Sequence, residues 1–272
     1  MPFLPHADIL NDLHRRLNRR EYVSPDPLQF LYEYEDPADQ EVVALVASSL
    51  AYGRVKQILA SVRKVLDVLG ESPAKAVRDG RADRWRGQLG SFKHRFADAA
   101  HVTAMLAGTQ HLLRRHATMG RFFESALTEC GGDCLAATAG LVDTITAKGQ
   151  RPCGHLLPDV RLGSPCKRLA LMLRWMVRSD EVDVGCWKGS NPAGLIVPLD
   201  THMYRIGRAF GAIARRSPDM RAAVEMTRAL AKLSPDDPVK YDFALTRLGI
   251  RSDMSVESLF EQCGVNENAA VP

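Results

Sequence analysis

Apolar residues recur every three to four positions along nearly the whole chain, and no segment alternates apolar and polar residues for long enough to pair as strands. That spacing puts one apolar stripe on a helix and leaves no material for a sheet. The expected fold class is therefore all-α. Helical stretches are read over 39–69, 101–113, 121–127, 134–147, 166–178, 201–210, 219–233 and 239–248, with a short one over 256–263. The connections carry turn chemistry, as in Ser72-Pro73, Gly149–Cys153, Ser217-Pro218-Asp219 and Ser234-Pro235-Asp236-Asp237-Pro238. The polar tail Asn266–Pro272 is small enough to fray.

Composition narrows the function classes. Apolar residues at 46% and charged residues at 25% are enough for a packed core over 272 residues. Met1–Leu10 contains Pro2, Pro5, His6 and Asp8 where a secretory signal needs an unbroken apolar run. The apolar segments are short and interrupted by Arg or Lys, so no membrane span is expected. The six cysteines form no C-x2-C pair and no disulfide or zinc spacing, which suits free thiols in a reducing cytoplasm. No metal and no cofactor is expected. A net charge of +4 permits a polyanionic partner without demonstrating one.

Two short segments carry chemistry. In Leu162-Gly163-Ser164-Pro165-Cys166-Lys167-Arg168-Leu169, Ser164 reads as an N-cap and Pro165 as the first helical residue. Counted from that cap, Lys167 falls at the third helical position. An ammonium is disfavoured there by the helix dipole. The lysine either bends into solvent or uses dipole and desolvation to favour a neutral amine that attacks an electrophilic carbon. In Leu195-Ile196-Val197-Pro198-Leu199-Asp200-Thr201-His202, a short apolar run delivers Asp200 to the start of the next helix. As a cap it needs no further role. It nevertheless follows Lys167 by 33 residues, and two helix starts can face one cleft.

Gly-Ser-Pro-Cys-Lys followed by Pro-Leu-Asp-Thr-His resembles the helix–hairpin–helix DNA glycosylase superfamily, which includes endonuclease III and the 8-oxoguanine glycosylases. The resemblance covers about Arg161–Gly211, and more loosely the stretch Gln40–Leu69. The run Cys166–Gly185 also resembles a largely uncharacterised bacterial family. The superfamily likeness implies a bilobed helical bundle with a long loop between the hairpin helix and the aspartate helix. Segment 1–38 would pack with a carboxy-terminal lobe over 200–272, around a central lobe over 39–199 that contains the hairpin. It further implies that Lys167 and Asp200 are catalytic. The damaged base, expected to be an oxidised purine such as 8-oxoguanine, would leave through a lysine Schiff base with strand nicking.

The implied partner is double-stranded DNA bearing a damaged base, bound by a monomer in the cytoplasm at the nucleoid. Gly163, Ser164, Cys166, Arg168, His202 and Arg205 would contact DNA, with Arg174 a further backbone contact. Tyr52, Gly53, Arg54, Gln57 and Trp187 would line the base pocket. Phe92-Lys93-His94-Arg95-Phe96 reads as a basic–aromatic patch. The chain departs from the superfamily in three ways. Pro165 replaces the second hairpin glycine, Ser179–Gly194 lengthens the lysine-to-aspartate interval, and the iron–sulfur cysteine pattern of endonuclease III is absent. Two rival expectations remain: a nucleic-acid-binding protein on the same fold without lyase chemistry, and a monofunctional glycosylase in which Asp200 activates water.

Overall fold

In a computed structural model of the protein, residues 3–149, 152–251 and 253–265 are described. The tail from Asn266 and two residues of the Gly149–Cys153 connection lie outside the described residues. Within them are thirteen α-helices and one two-stranded hairpin, so the chain is all-helical. The helices are α1 (Ala7–Leu17), α2 (Pro37–Ser49), α3 (Val55–Leu69), α4 (Pro73–Asp79), α5 (Ala82–Leu89), α6 (Ala99–His116) and α7 (Met119–Glu129). They continue with α8 (Cys134–Lys148), α9 (Lys167–Val177), α10 (Thr201–Ala209), α11 (Met220–Ala231), α12 (Asp242–Ile250) and α13 (Val256–Gln262). The hairpin pairs β1 (Lys93–His94) with β2 (Ala97–Asp98) antiparallel.

Helix starts follow from side chains that answer the free amides of a first turn. Asp36 accepts from the Ala38 amide with Pro37 next in line, and Asp133 accepts from Leu135 and Ala136. Asp98 and His101 form a reciprocal capping box at α6. The core is one cluster that runs from Phe3 to Cys263, without a break at 38/39 or 199/200. α2 is its axis. Val42, Val43, Ala44, Leu45, Val46 and Ala47 are all buried, which is why its apolar residues fill the helix circumference rather than one stripe. α9 and the 3-10 segment Pro27–Glu33 lie against it, α6 packs on α8, and α1 packs on α12.

The single long helix expected over 39–69 is two helices. The chain leaves helical geometry at Leu50–Arg54, where Gly53 takes φ +102°, a region open to glycine and costly for other residues. Tyr52 fixes the break from the side: its hydroxyl donates to the His94 carbonyl at 3.0 Å, and the His94 ring bonds the Tyr52 carbonyl and Ser61 Oγ. The expected basic–aromatic patch is this hairpin. Phe92 is buried, whereas Phe96 is exposed and packs on His155. Tertiary ties at Tyr52 thus override a continuous helical pattern.

Candidate active site

The site begins at a tight turn. The 3-10 segment Val160–Leu162 ends at Gly163 with φ +81°, and a Cβ there would meet open space, so the glycine is needed for its backbone rather than for room. Leu162 is 81% exposed at the tip. Cys166 then takes φ +47° and ψ +38°, left-handed values that are unfavourable for a residue with a Cβ. This reversal prevents a helix from starting at Ser164, whose backbone is also steered away from helix by Pro165. α9 therefore begins at Lys167, which is the first helical residue rather than the third. Ser164 is not its cap; the Ser164 hydroxyl accepts only a 3.5 Å contact from the Cys166 amide.

The second element arrives through Val197 and Leu199, both buried, with the Val197 amide donating to Thr227 Oγ1 at 3.0 Å. Asp200 then caps α10, its Oδ1 accepting from the Met203 amide at 2.8 Å. Its other oxygen, Oδ2, lies 3.1 Å from Lys167 Nζ. One carboxylate thus has two separate duties. The side chains are 34% exposed for Lys167 and 11% for Asp200, so the pair is reached from solvent through the lysine. An ammonium beside the positive end of α9 is unfavourable, and Asp200 offsets it.

The pair borders a cavity of about 410 Å³, the size of a small-ligand site. Pro198, Tyr52, Gly53 and His202 form part of its wall, and α12 contributes Asp242, Phe243 and Arg247. Asp242 is buried and bonds Arg174 Nη1 through Oδ2, while its Oδ1 has no hydrogen-bond partner. Burial pushes its carboxyl up to about 6, against the pull of Arg174, and Asp200 adds in the same direction. Arg174 also serves Asp183 at 3.2 Å, so its one charge is shared between two carboxylates. Arg247 donates to Asp26 Oδ2 at 2.9 Å and stacks on Phe243, yet its Nε is buried without a partner. Asp242 and Arg247 were missed by sequence reasoning. For Arg247 the available signal was a charge within the mostly apolar run Phe-Ala-Leu-Thr-Arg-Leu-Gly-Ile, whereas Asp242 heads the helix as any first-turn acid does.

The other expected site residues divide. Tyr52 and Gly53 line the cavity, placed there by the helix break. Arg54, just before α3, and Gln57 on it are exposed and outside the cavity lining. Trp187 is not a pocket residue: it is buried against Phe123, and its indole N–H donates to Glu41 Oε1 at 2.7 Å. That carboxylate, raised by burial, also accepts from the Met119 and Gly120 amides, so it needs the indole as a third donor. Arg168 does not reach outward to phosphate. It donates to the Ser49 carbonyl at 2.7 Å and stacks on Tyr52, tying α9 to α2. Arg174 is buried and excluded as a DNA contact. His202 walls the cavity, its ring packed on Gly249, where a Cβ would lie 2.2 Å from Nδ1. Gly163 and Ser164 are exposed, Cys166 is buried, and Arg205 pairs with Glu257 at 2.7 Å.

Among the described residues, no helix is long and apolar enough to cross a membrane, and no group of His, Cys, Asp and Glu could hold a metal ion. Residues 26–251 match the sequence profile of a family described as a protein of unknown function (DUF2400). No curated protein and no solved structure matches.

Proposed function

We propose that this chain, which belongs to the DUF2400 family, is a DNA glycosylase of the helix–hairpin–helix type that removes an oxidised purine and opens the abasic site through a Schiff base on Lys167. One observation carries the reading. Lys167 Nζ sits 3.1 Å from Asp200 Oδ2 where both helix starts meet the rim of a base-sized cavity. A base extruded from duplex DNA enters that cavity. Asp200 accepts the ammonium proton and so frees the amine to bond C1′. The exposed turn Gly163–Ser164 stands beside the site as a place for a phosphate of the extruded strand.

Borohydride reduction of the enzyme mixed with duplexes containing 8-oxoguanine, uracil, thymine glycol or an alkylated base tests this directly. Wild type is expected to become covalently linked to at least one duplex. Lys167→Gln is expected to lose linkage and nicking entirely while keeping lesion binding, because the first turn of α9 tolerates the loss of a cation. Equal linkage by both proteins shows a different nucleophile. Base release without linkage indicates water as nucleophile, and binding without base release leaves a nucleic-acid-binding protein.

A further inference from the structure

The glycosylase reading assigns a nucleophile and a carboxylate, yet it leaves the departing base without a proton. Breaking the C1′–N bond sends an electron pair onto the base, and an anionic base is a poor leaving group unless an acid meets it. Three observations place such an acid on α12. Asp242 lines the same cavity as Lys167 and Asp200. Its Oδ2 is held by Arg174 Nη1, so a proton on this carboxyl resides on Oδ1. Oδ1 is buried and bonded to nothing in the protein, an arrangement that is costly unless a ligand answers it. Five residues along the same helix, Arg247 Nε is a second buried polar atom without a partner at this cavity. Two residues that line this cavity therefore each hold an unmet polar atom, and a base edge carries the donors and acceptors that answer such atoms.

Resting on the glycosylase reading, we infer that Asp242 is the general acid that protonates the leaving base, with Arg174 stabilising the carboxylate left behind. The step balances. Lys167, neutral once Asp200 holds its proton, forms the bond to C1′ and becomes an ammonium. The C1′–N electron pair leaves with the base, which takes the Oδ1 proton and departs neutral. Asp242 becomes a carboxylate, so net charge is conserved.

The charged surroundings allow the proton to be held. Lys167 and Arg174 face Asp242 from α9 and Asp200 from α10, where His202 also borders the cavity. Asp26, bound to Arg247, approaches from the 3-10 segment Pro27–Glu33. Towards α1 the neighbour is Tyr241 with Asn11 and His14, and towards α13 the nearest acid, Glu257, is engaged with Arg205. Full burial and the nearby Asp200 outweigh the pull of Arg174 and Lys167, and the carboxyl titrates near pH 6.

The test pairs two substrates across pH 5 to 9: duplexes bearing the four damaged bases, and a duplex with a preformed abasic site, which has no base to protonate. For wild type, base release is expected to decline above about pH 6, while borohydride linkage to abasic DNA lacks that decline. Asp242→Asn keeps an amide oxygen for Arg174 and should slow base release by about 100-fold with loss of the pH limb. Its linkage to abasic DNA should stay within about twofold of wild type, which also shows that the site is folded. Wild-type base release by Asp242→Asn, or equal loss on both substrates, overturns the inference. So does a wild type that links to abasic DNA yet releases none of the four bases. A wild type that links to neither substrate overturns the glycosylase reading itself, and the inference with it.

Discussion

Lys167 and Arg174 stand seven residues apart on α9, two turns along one helix, and they live in opposite electrostatic regimes. Lys167 is a third exposed and has a single carboxylate partner at 3.1 Å. Arg174 is 4% exposed and is held between Asp183 and Asp242, next to Arg178, which binds Asp180, Asp183 and Asp237. A buried ion carries a desolvation penalty of several kcal/mol, so each member of such a network depends on all the others. A charge at a cavity rim keeps water as an alternative partner, so it depends far less on its neighbour. The inner network ties α9 to α12 and to the Ser179–Val184 loop, whereas the outer pair joins only the starts of α9 and α10.

Removing the inner charge should have the largest effect. Arg174→Met strands Asp242 as a buried carboxylate and leaves Asp183 to Arg178 alone, and the unfolding free energy is expected to drop by about 3–5 kcal/mol in a denaturant titration. A change near zero would mean that the network contributes no scaffold and would erase the contrast with Lys167. Asp200→Asn comes next and acts on the other side of the comparison. Stability should hold, because Asn caps α10 about as well as Asp. Base release should slow by about 3 kcal/mol in barrier height, close to 100-fold, as measured under single-turnover conditions. A variant that loses stability instead would place Asp200 with the scaffold.

The extent to which the sequence reveals these regions follows the same division. Helices with a clear stripe and an Asp cap, such as α10 and α11, were legible because local signals agree with the tertiary outcome. The break at Leu50–Arg54 was not, since it depends on Tyr52 reaching His94, 42 residues away. The start of α9 was misplaced by two residues because a left-handed Cys166 leaves no mark in residue type. That Lys167 and Asp200 both stand at helix starts was legible, and the structure brings the two side chains within 3.1 Å. Asp242 was not, because an acid at the head of a helix looks like an ordinary first-turn carboxylate until burial and the missing Oδ1 partner are seen. Trp187 and Arg168 were misjudged for the converse reason: an aromatic and an arginine near a motif look functional until Glu41 and Ser49 are found already bonded to them.

Arg205 is as exposed as Lys167 but lies outside the cavity, and it should give the smallest effect on the fold. It sits on α10, pairs with Glu257 at 2.7 Å and lies over the Phe260 ring. The Ser255 hydroxyl first, and Arg205 second, hold the Glu257 carboxyl down to about 2. Whatever stability that lowered value confers is present at neutral pH and is lost only as pH falls towards 2. Arg205→Glu sets two acids face to face in solvent, where screening is strong, and the melting temperature should move by less than about 3 °C. DNA tells more. If α10 lies along the phosphate backbone, a phosphate can take the place of Glu257, and reversal should weaken duplex binding and reduce the slope of log affinity against log salt by about one. Preference among damaged bases should not change, because backbone contacts position without reading sequence. Unchanged affinity at low salt would remove α10 from the DNA path. A changed lesion preference would mean that Arg205 communicates with the cavity, and the gradient from scaffold through chemistry to surface would have to be redrawn.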